Sequence, residues 1–252
     1  METTRLLNID IQCITQDELL RNMTEGVLYT PNVDHMVELQ KNKALYDAYQ
    51  EAEWIVCDSR ILQLFSRLLK KRIPEAIPGS SLFPAFYQYH RNNPDCKIFL
   101  LGAAPGIALK AQQEINTTVG RNIIVGAHSP SFGFEKNEKE CMELVDIVNQ
   151  SGATVLVVGV GAPKQECWIH RYRKYMPNVK IFMALGATID FEAKTLKRAP
   201  AVWQKMHMEW FYRFLNEPKR LFKRYFVRDP QFFAYLLKQI LGLYRNPFNQ
   251  PQ

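Results

Sequence analysis

The residues best suited to chemistry stand in short clusters, each mixing small residues with polar ones just after an apolar run. They are Thr30-Pro31-Asn32, Asp58-Ser59-Arg60, Gly102-Ala103-Ala104-Pro105-Gly106, Gly159-Val160-Gly161-Ala162-Pro163-Lys164-Gln165 and Gly186-Ala187-Thr188-Ile189-Asp190. Small residues let backbone amides approach a ligand, and a helix starting there presents unsatisfied N–H groups, so the pattern suits a phosphate-bearing molecule. A tight connection is the plainer reading of any one cluster; their recurrence favours a nucleotide-type ligand. Neither 102–106 nor 159–161 completes Gly-x-Gly-x-x-Gly, and no Gly-Lys-Ser/Thr occurs, which weighs against a dehydrogenase and a Walker-type site. Cys13, Cys57, Cys96, Cys141 and Cys167 include no Cys-x-x-Cys, and the five histidines show no ligand spacing, so no metal site is expected.

The elements that would position these clusters follow from the apolar periodicity. Continuous apolar runs at 27–30, 54–57, 97–101, 122–125, 154–158 and 180–184 predict strands buried on both faces. Helical-period segments at 33–52, 60–70, 107–119, 138–150 and 164–175 separate them. Alternation of this kind predicts an α/β fold, a Rossmann-like and mostly parallel sheet with helices on both faces. Ligands of such sheets lie at the carboxyl ends of the strands, where every cluster above falls.

Composition adds a second theme. Apolar residues make up 47% of 252, enough for a sizeable core. The odd, scattered cysteines read as reduced thiols of a cytosolic protein. The amino terminus has no signal-peptide pattern, and the longest nearly apolar run, 153–163, is about half of what spans a bilayer. The net charge is +7, yet from Lys194 onward twelve Lys and Arg stand against three acids, a surplus of nine, which leaves residues 1–193 at −2. Two parts are expected: an α/β catalytic domain over 1–193 and a basic, aromatic-rich helical appendage over 194–252.

Several segments, in order, resemble the WecG/TagA/CpsF family, glycosyltransferase family 26. They are Thr30-Pro-Asn-Val-Asp, the strand-ending Asp58, Pro78-Gly79, Gly161-Ala-Pro-Lys-Gln-Glu, Gly186-Ala-Thr-Ile-Asp-Phe, Lys197-Arg-Ala-Pro and Glu209-Trp-Phe-Tyr-Arg-Phe-Leu-Asn-Glu-Pro-Lys-Arg. The resemblance covers roughly 25–225. It implies inverting, metal-independent transfer of a hexose, an N-acetylhexosamine or its uronic acid from a UDP-sugar donor. The implied acceptor is a polyprenyl-diphosphate-linked glycan of bacterial surface-polysaccharide synthesis. No cofactor is implied, and the sequence contains no Asp-x-Asp, the usual clamp for a divalent ion on a donor diphosphate.

By that resemblance Asp58 is the catalytic base and Thr30 an active-site hydroxyl. From position alone, Asp58 is instead an N-cap of the helix after it, and Thr30 an ordinary strand-end residue. Asn32 would bind substrate or cap the helix starting at Val33. Gln165 and Lys164 would face the donor diphosphate, although a lysine there also reads as a solvated surface residue. Asp190 would contact nucleotide or sugar, or be a turn aspartate. Gly79, Gly102 and Gly161 would admit substrate close to the backbone. Ala76 and Ser81 occupy positions that are charged in many relatives, and Arg60 is expected to replace the missing charge.

In the last quarter, Trp203, Trp210, Phe211, Phe214, Phe222, Phe226, Phe232 and Phe233 interleave with cations. Helical spacing of apolar and basic residues describes an interfacial amphipathic helix. The expectation is peripheral attachment to the inner face of the cell membrane, with Arg213, Arg220 and Arg224 able to close over the donor, and no nucleic-acid partner. Plain packing of the aromatics on the domain is the alternative. A catalytically silent scaffold of a polysaccharide assembly pathway is the alternative function.

Overall fold

A computed structural model describes residues 1–69, 71–196 and 228–249, with Leu215, Pro218, Phe222 and Phe226 as single positions between them. The chain opens with an antiparallel hairpin, β1 (Thr3–Leu6) and β2 (Ile9–Gln12), that the apolar-run reading did not single out. Leu6, Ile9 and Ile11 alternate inward into the core.

The apolar runs become the strands of one parallel sheet: β3 (Gly26–Tyr29), β4 (Trp54–Ile55), β5 (Ile98–Gly102), β6 (Ile124–His128), β7 (Val155–Gly159) and β8 (Ile181–Ala184). Their order is β4-β3-β8-β7-β5-β6, and every pair is parallel. Side chains alternate across it as a pleated strand requires. Tyr29, Leu101, Val158 and Phe182 enter one core, and Leu28, Leu100, Val157 and Met183 enter the other.

Helices cover both faces, as expected. The first core receives α2 (Val33–Glu38), α3 (Lys43–Gln50), α4 (Arg60–Phe65), α7 (Glu138–Gln150), α8 (Lys164–Tyr172) and α10 (Pro230–Ile240), through Met36, Leu45, Leu62, Leu144, Ile169 and Phe232. The second receives α1 (Gln16–Asn22), α5 (Gly79–Tyr89), α6 (Ile107–Val119) and α9 (Thr188–Glu192), through Leu19, Phe83, Ala111 and Ile189.

Several expected elements are shorter than the periodicity implies, and three of them show why. The helix at 33–52 is two helices, because the Asn42 side chain accepts the Leu45 N–H at 3.1 Å and starts a new helix there. The strand at 54–57 ends at Ile55, although the Asp58 N–H still donates to the Pro31 carbonyl at 3.1 Å. The helix at 60–70 ends at Phe65 in a short 3₁₀ turn, Ser66–Leu68, where the Ser66 hydroxyl accepts the Ile73 N–H at 3.0 Å and turns the chain back.

The described end of the chain packs on the α/β core. Phe232 and Leu236 of α10 are buried in it. The Gln239 amide bridges to the hairpin, accepting from the Leu7 N–H at 2.8 Å and donating to the Arg5 carbonyl at 2.9 Å. Tyr244 donates to Gln40 Oε1 at 2.6 Å.

Candidate active site

At the carboxyl ends of β3, β4, β7 and β8 the loops leave an open cleft of ≈ 520 Å³. Thr30 follows β3 directly and is buried at its wall. Asn32 lines the cleft and caps α2, its Oδ1 accepting the Asp34 and His35 N–H groups at 3.0 and 3.3 Å. Asp58 does not cap the helix after it. Ser59 does, accepting from the Ile61 N–H at 3.2 Å. The Asp58 carboxylate turns to the cleft instead, where Oδ1 accepts the Gly79 N–H at 3.3 Å, at the first residue of α5. A carboxylate at a helix N-terminus is stabilised by the unpaired N–H groups there.

Gly79 is small for a reason: a Cβ would stand 3.2 Å from Leu185 Cδ2 and 3.3 Å from Thr188 Oγ1, across the cleft floor. Within α5, Pro84 has no N–H to give to the Ser80 carbonyl, at a residue that lines the cleft.

The opposite wall is built by the loops after β7 and β8. Gln165, on the first turn of α8, accepts the Gly161 N–H at 3.2 Å and the Gly186 N–H at 3.1 Å through one oxygen, joining the two loops. Its Nε2 donates to the buried Glu166 carboxyl at 2.8 Å. Asp190 of α9 is half-buried in the cleft, and desolvation raises its carboxyl above the usual range. Among the described residues, no three His, Cys, Asp or Glu side chains gather into a group that could hold a metal ion.

The sequence model of the Glycosyl transferase WecG/TagA/CpsF family matches residues 4–246. The chain belongs to this family. It is therefore a glycosyltransferase, of a family that serves cell-surface polysaccharide synthesis.

The cleft brings together Thr30, Asn32, Asp58, Gly79, Gly161, Gln165 and Asp190 of the residues singled out in sequence. Three others lie off its lining. Arg60 is exposed on α4, and its guanidinium donates to Gln63 Oε1 on the same helix. Lys164 turns to Glu135 at 3.3 Å, with its ammonium 4.8 Å from the centre of the Phe132 ring. Gly102 is tied to packing: at φ +141° it lies where a Cβ would run into the Gly159 carbonyl of β7. A Cβ on Gly159 would in turn stand 2.6 Å from the Gly186 carbonyl, so three strand ends close on one another through glycines. Arg213, Arg220 and Arg224 lie outside the described residues, as do Trp203, Trp210, Phe211 and Phe214.

Sequence reasoning missed Arg228, Asp34 and His35 as cleft residues. Arg228 reaches the cleft from the chain's last quarter, 2.5 Å from Asp34 Oδ1 and 4.0 Å from Glu38 Oε2. Asp34 was in view as the last residue of Thr30-Pro-Asn-Val-Asp. Arg228 had no signal beyond its membership of the basic tail.

Proposed function

We propose that this glycosyltransferase moves a hexose, an N-acetylhexosamine or its uronic acid from a UDP-sugar to a polyprenyl-diphosphate-linked saccharide, inverting the anomeric carbon without a metal ion. The observation that carries this reading is the Asp58 carboxylate, which opens on the cleft at a strand's carboxyl end rather than capping its own helix. In one displacement, Asp58 takes the proton of an acceptor hydroxyl as that oxygen bonds to the anomeric carbon. The bond from that carbon to the donor phosphate breaks, and UDP leaves with its electron pair. Thr30 and Asn32 hold the sugar or acceptor hydroxyls beside Asp58, and Asp190 meets the nucleotide or sugar. The volume of ≈ 520 Å³ lies within the range of small-molecule sites.

Charge developing on the departing diphosphate needs donors already in place. The positive end of the α8 dipole stands at the wall lined by Gln165, and Arg228 brings a cation to the same cleft. Arg213, Arg220 and Arg224 are proposed to add to it. The polyprenyl acceptor calls for a surface that meets lipid. Support comes from Leu237, Leu241 and Leu243 in and after α10, 57%, 60% and 67% exposed. Exposed Leu64 and Leu68 flank Phe65, whose ring meets Phe233 of α10 at 5.3 Å. No described helix is long and apolar enough to cross a membrane, so the attachment proposed is peripheral, at the inner face, through the appendage of residues 194–252.

Calorimetric titration of UDP into the protein, in Mg²⁺ and again in EDTA, tests the donor and the metal together. The expected result is binding with the same Kd in both. Binding only with Mg²⁺ overturns the metal-independent route. Absence of UDP binding in both overturns the donor.

A further inference from the structure

Glu166 is fully buried on α8, one residue beyond the cleft residue Gln165, and Tyr29 donates to its backbone carbonyl at 3.1 Å. Its carboxyl Oε1 accepts from Gln165 Nε2 at 2.8 Å, while Oε2 meets no hydrogen-bond partner among the described residues. A buried polar atom left unpaired carries a desolvation penalty, so the group needs a reason to be there. Nothing in the sugar-transfer chemistry above uses it.

The reason lies in the Gln165 amide. Its oxygen must face the Gly161 and Gly186 N–H groups, because its NH₂ turned toward them would set donor against donor. The two ends of a glutamine amide are nearly identical in shape, so packing alone does not choose between them; only hydrogen-bond partners do. Glu166 supplies the choice, since a carboxyl presents an acceptor to the NH₂ end whether or not it holds a proton. An apolar residue at 166 leaves the NH₂ unpaired, and the amide loses its reason to keep its oxygen on the two loops.

We infer that Glu166 is a positioning residue: it orients the Gln165 amide, and Gln165 thereby fixes the spacing of the two strand-end loops that form one wall of the cleft. On the functional reading above, those loops receive a nucleoside diphosphate, so Glu166 governs donor affinity without touching the donor. Burial pushes its carboxyl up to about 7, which is consistent with a group kept for its acceptor and not for its charge.

Glu166→Leu, Glu166→Gln, Gln165→Leu and the double Leu variant test this with two readouts. One is hydrogen exchange at the Gly161 and Gly186 amides, followed by NMR in the full-length chain. The other is the Kd for UDP. Glu166→Leu is expected to speed exchange at both glycines and to weaken UDP by about tenfold or more, the loss of one directed hydrogen-bond arrangement. Glu166→Gln, which keeps an acceptor, is expected to stay within about threefold of wild type, and the double variant to be no worse than Gln165→Leu alone. The inference is overturned if Glu166→Leu leaves both glycine amides protected, or if its effect adds to that of Gln165→Leu. Should Glu166→Leu not fold, Glu166→Gln still decides: fast exchange at the two glycines in that variant overturns it. If wild type binds no UDP, the donor reading fails, and the amide exchange alone judges Glu166.

Discussion

Asp58 separates two readings of an aspartate, a helix cap and the base proposed for sugar transfer. In sequence it precedes Ser59 and a helix, the setting of an N-cap. The fold hands that task to Ser59 and leaves the Asp58 carboxylate in the cleft beside the Gly79 N–H. Asp58→Asn is expected to lower turnover on the order of 10²–10⁴-fold while UDP affinity and fold are kept, since the amide cannot take the acceptor proton. Steady-state rates at saturating substrates check this; near wild-type turnover removes Asp58 from the chemistry. Glu166 yields a prediction about pH. Its carboxyl lies at about 7 in the fold against 4.5 when exposed. The neutral form is thus favoured by folding, and its stabilising contribution is complete below about 4.5 and lost as pH rises through about 7. The groups coupled to it, Tyr29, Tyr49 and Cys167, are themselves pushed upward by burial and stay neutral across that window. Denaturation midpoints at a series of pH values are expected to show Glu166→Gln gaining on wild type by roughly 3 kcal/mol between pH 4.5 and 7. Parallel curves exclude this account. The Glu166 side chain was visible in the family-like Gly161-Ala-Pro-Lys-Gln-Glu, but its burial was not, because a single Glu carries no sequence mark of what packs around it.

At the scale of elements, α10 presents two kinds of apolar residue. Phe232 and Leu236 are buried in the core of the α/β domain, whereas Phe233, Leu237 and Ile240 stay 42–57% exposed. Periodicity alone predicted an amphipathic segment here and left open whether lipid or protein covers its apolar residues. For Phe232 the answer is protein, so Phe232→Ala is expected to cost about 3–5 kcal/mol in chemical denaturation. Leu237→Ser is expected to leave stability nearly unchanged and to reduce binding to anionic vesicles, measured by co-sedimentation. A large stability loss from Leu237→Ser, with vesicle binding intact, reverses the two roles. The buried strands β3, β5, β7 and β8 were the most legible elements, because they read as unbroken apolar runs, whereas the hairpin strands β1 and β2 were not singled out. Helix ends were less so. The break between α2 and α3 rests on one Asn42 side chain, whose capping bond competes with continued helix.

Over the whole molecule, charge is divided between a near-neutral first 193 residues and a basic remainder. Attraction of that remainder to anionic lipid would add about 1 kcal/mol per well-placed Lys or Arg and be screened within a Debye length. Binding to vesicles containing phosphatidylglycerol is therefore expected to weaken steeply between 50 and 500 mM salt, and not to occur on neutral phosphatidylcholine vesicles of the same size. Equal binding to both lipids would remove the electrostatic part of the attachment. The amino-acid sequence by itself determined the α/β alternation, the parallel sheet, the strand-end placement of Thr30, Asp58 and Gly161, and the charge division. Each of these depends on local periodicity or on a count, which neighbouring residues carry between them. Only the tertiary structure decided that Asp58 faces Gly79, that Gln165 joins the loops of β7 and β8, that Gly102 is required by the Gly159 carbonyl, and that Arg228 meets Asp34 across 194 positions of chain. Those pairings arise where the order of strands in the sheet brings distant loops to one edge, and the hydrophobic pattern that builds the strands carries no record of that order.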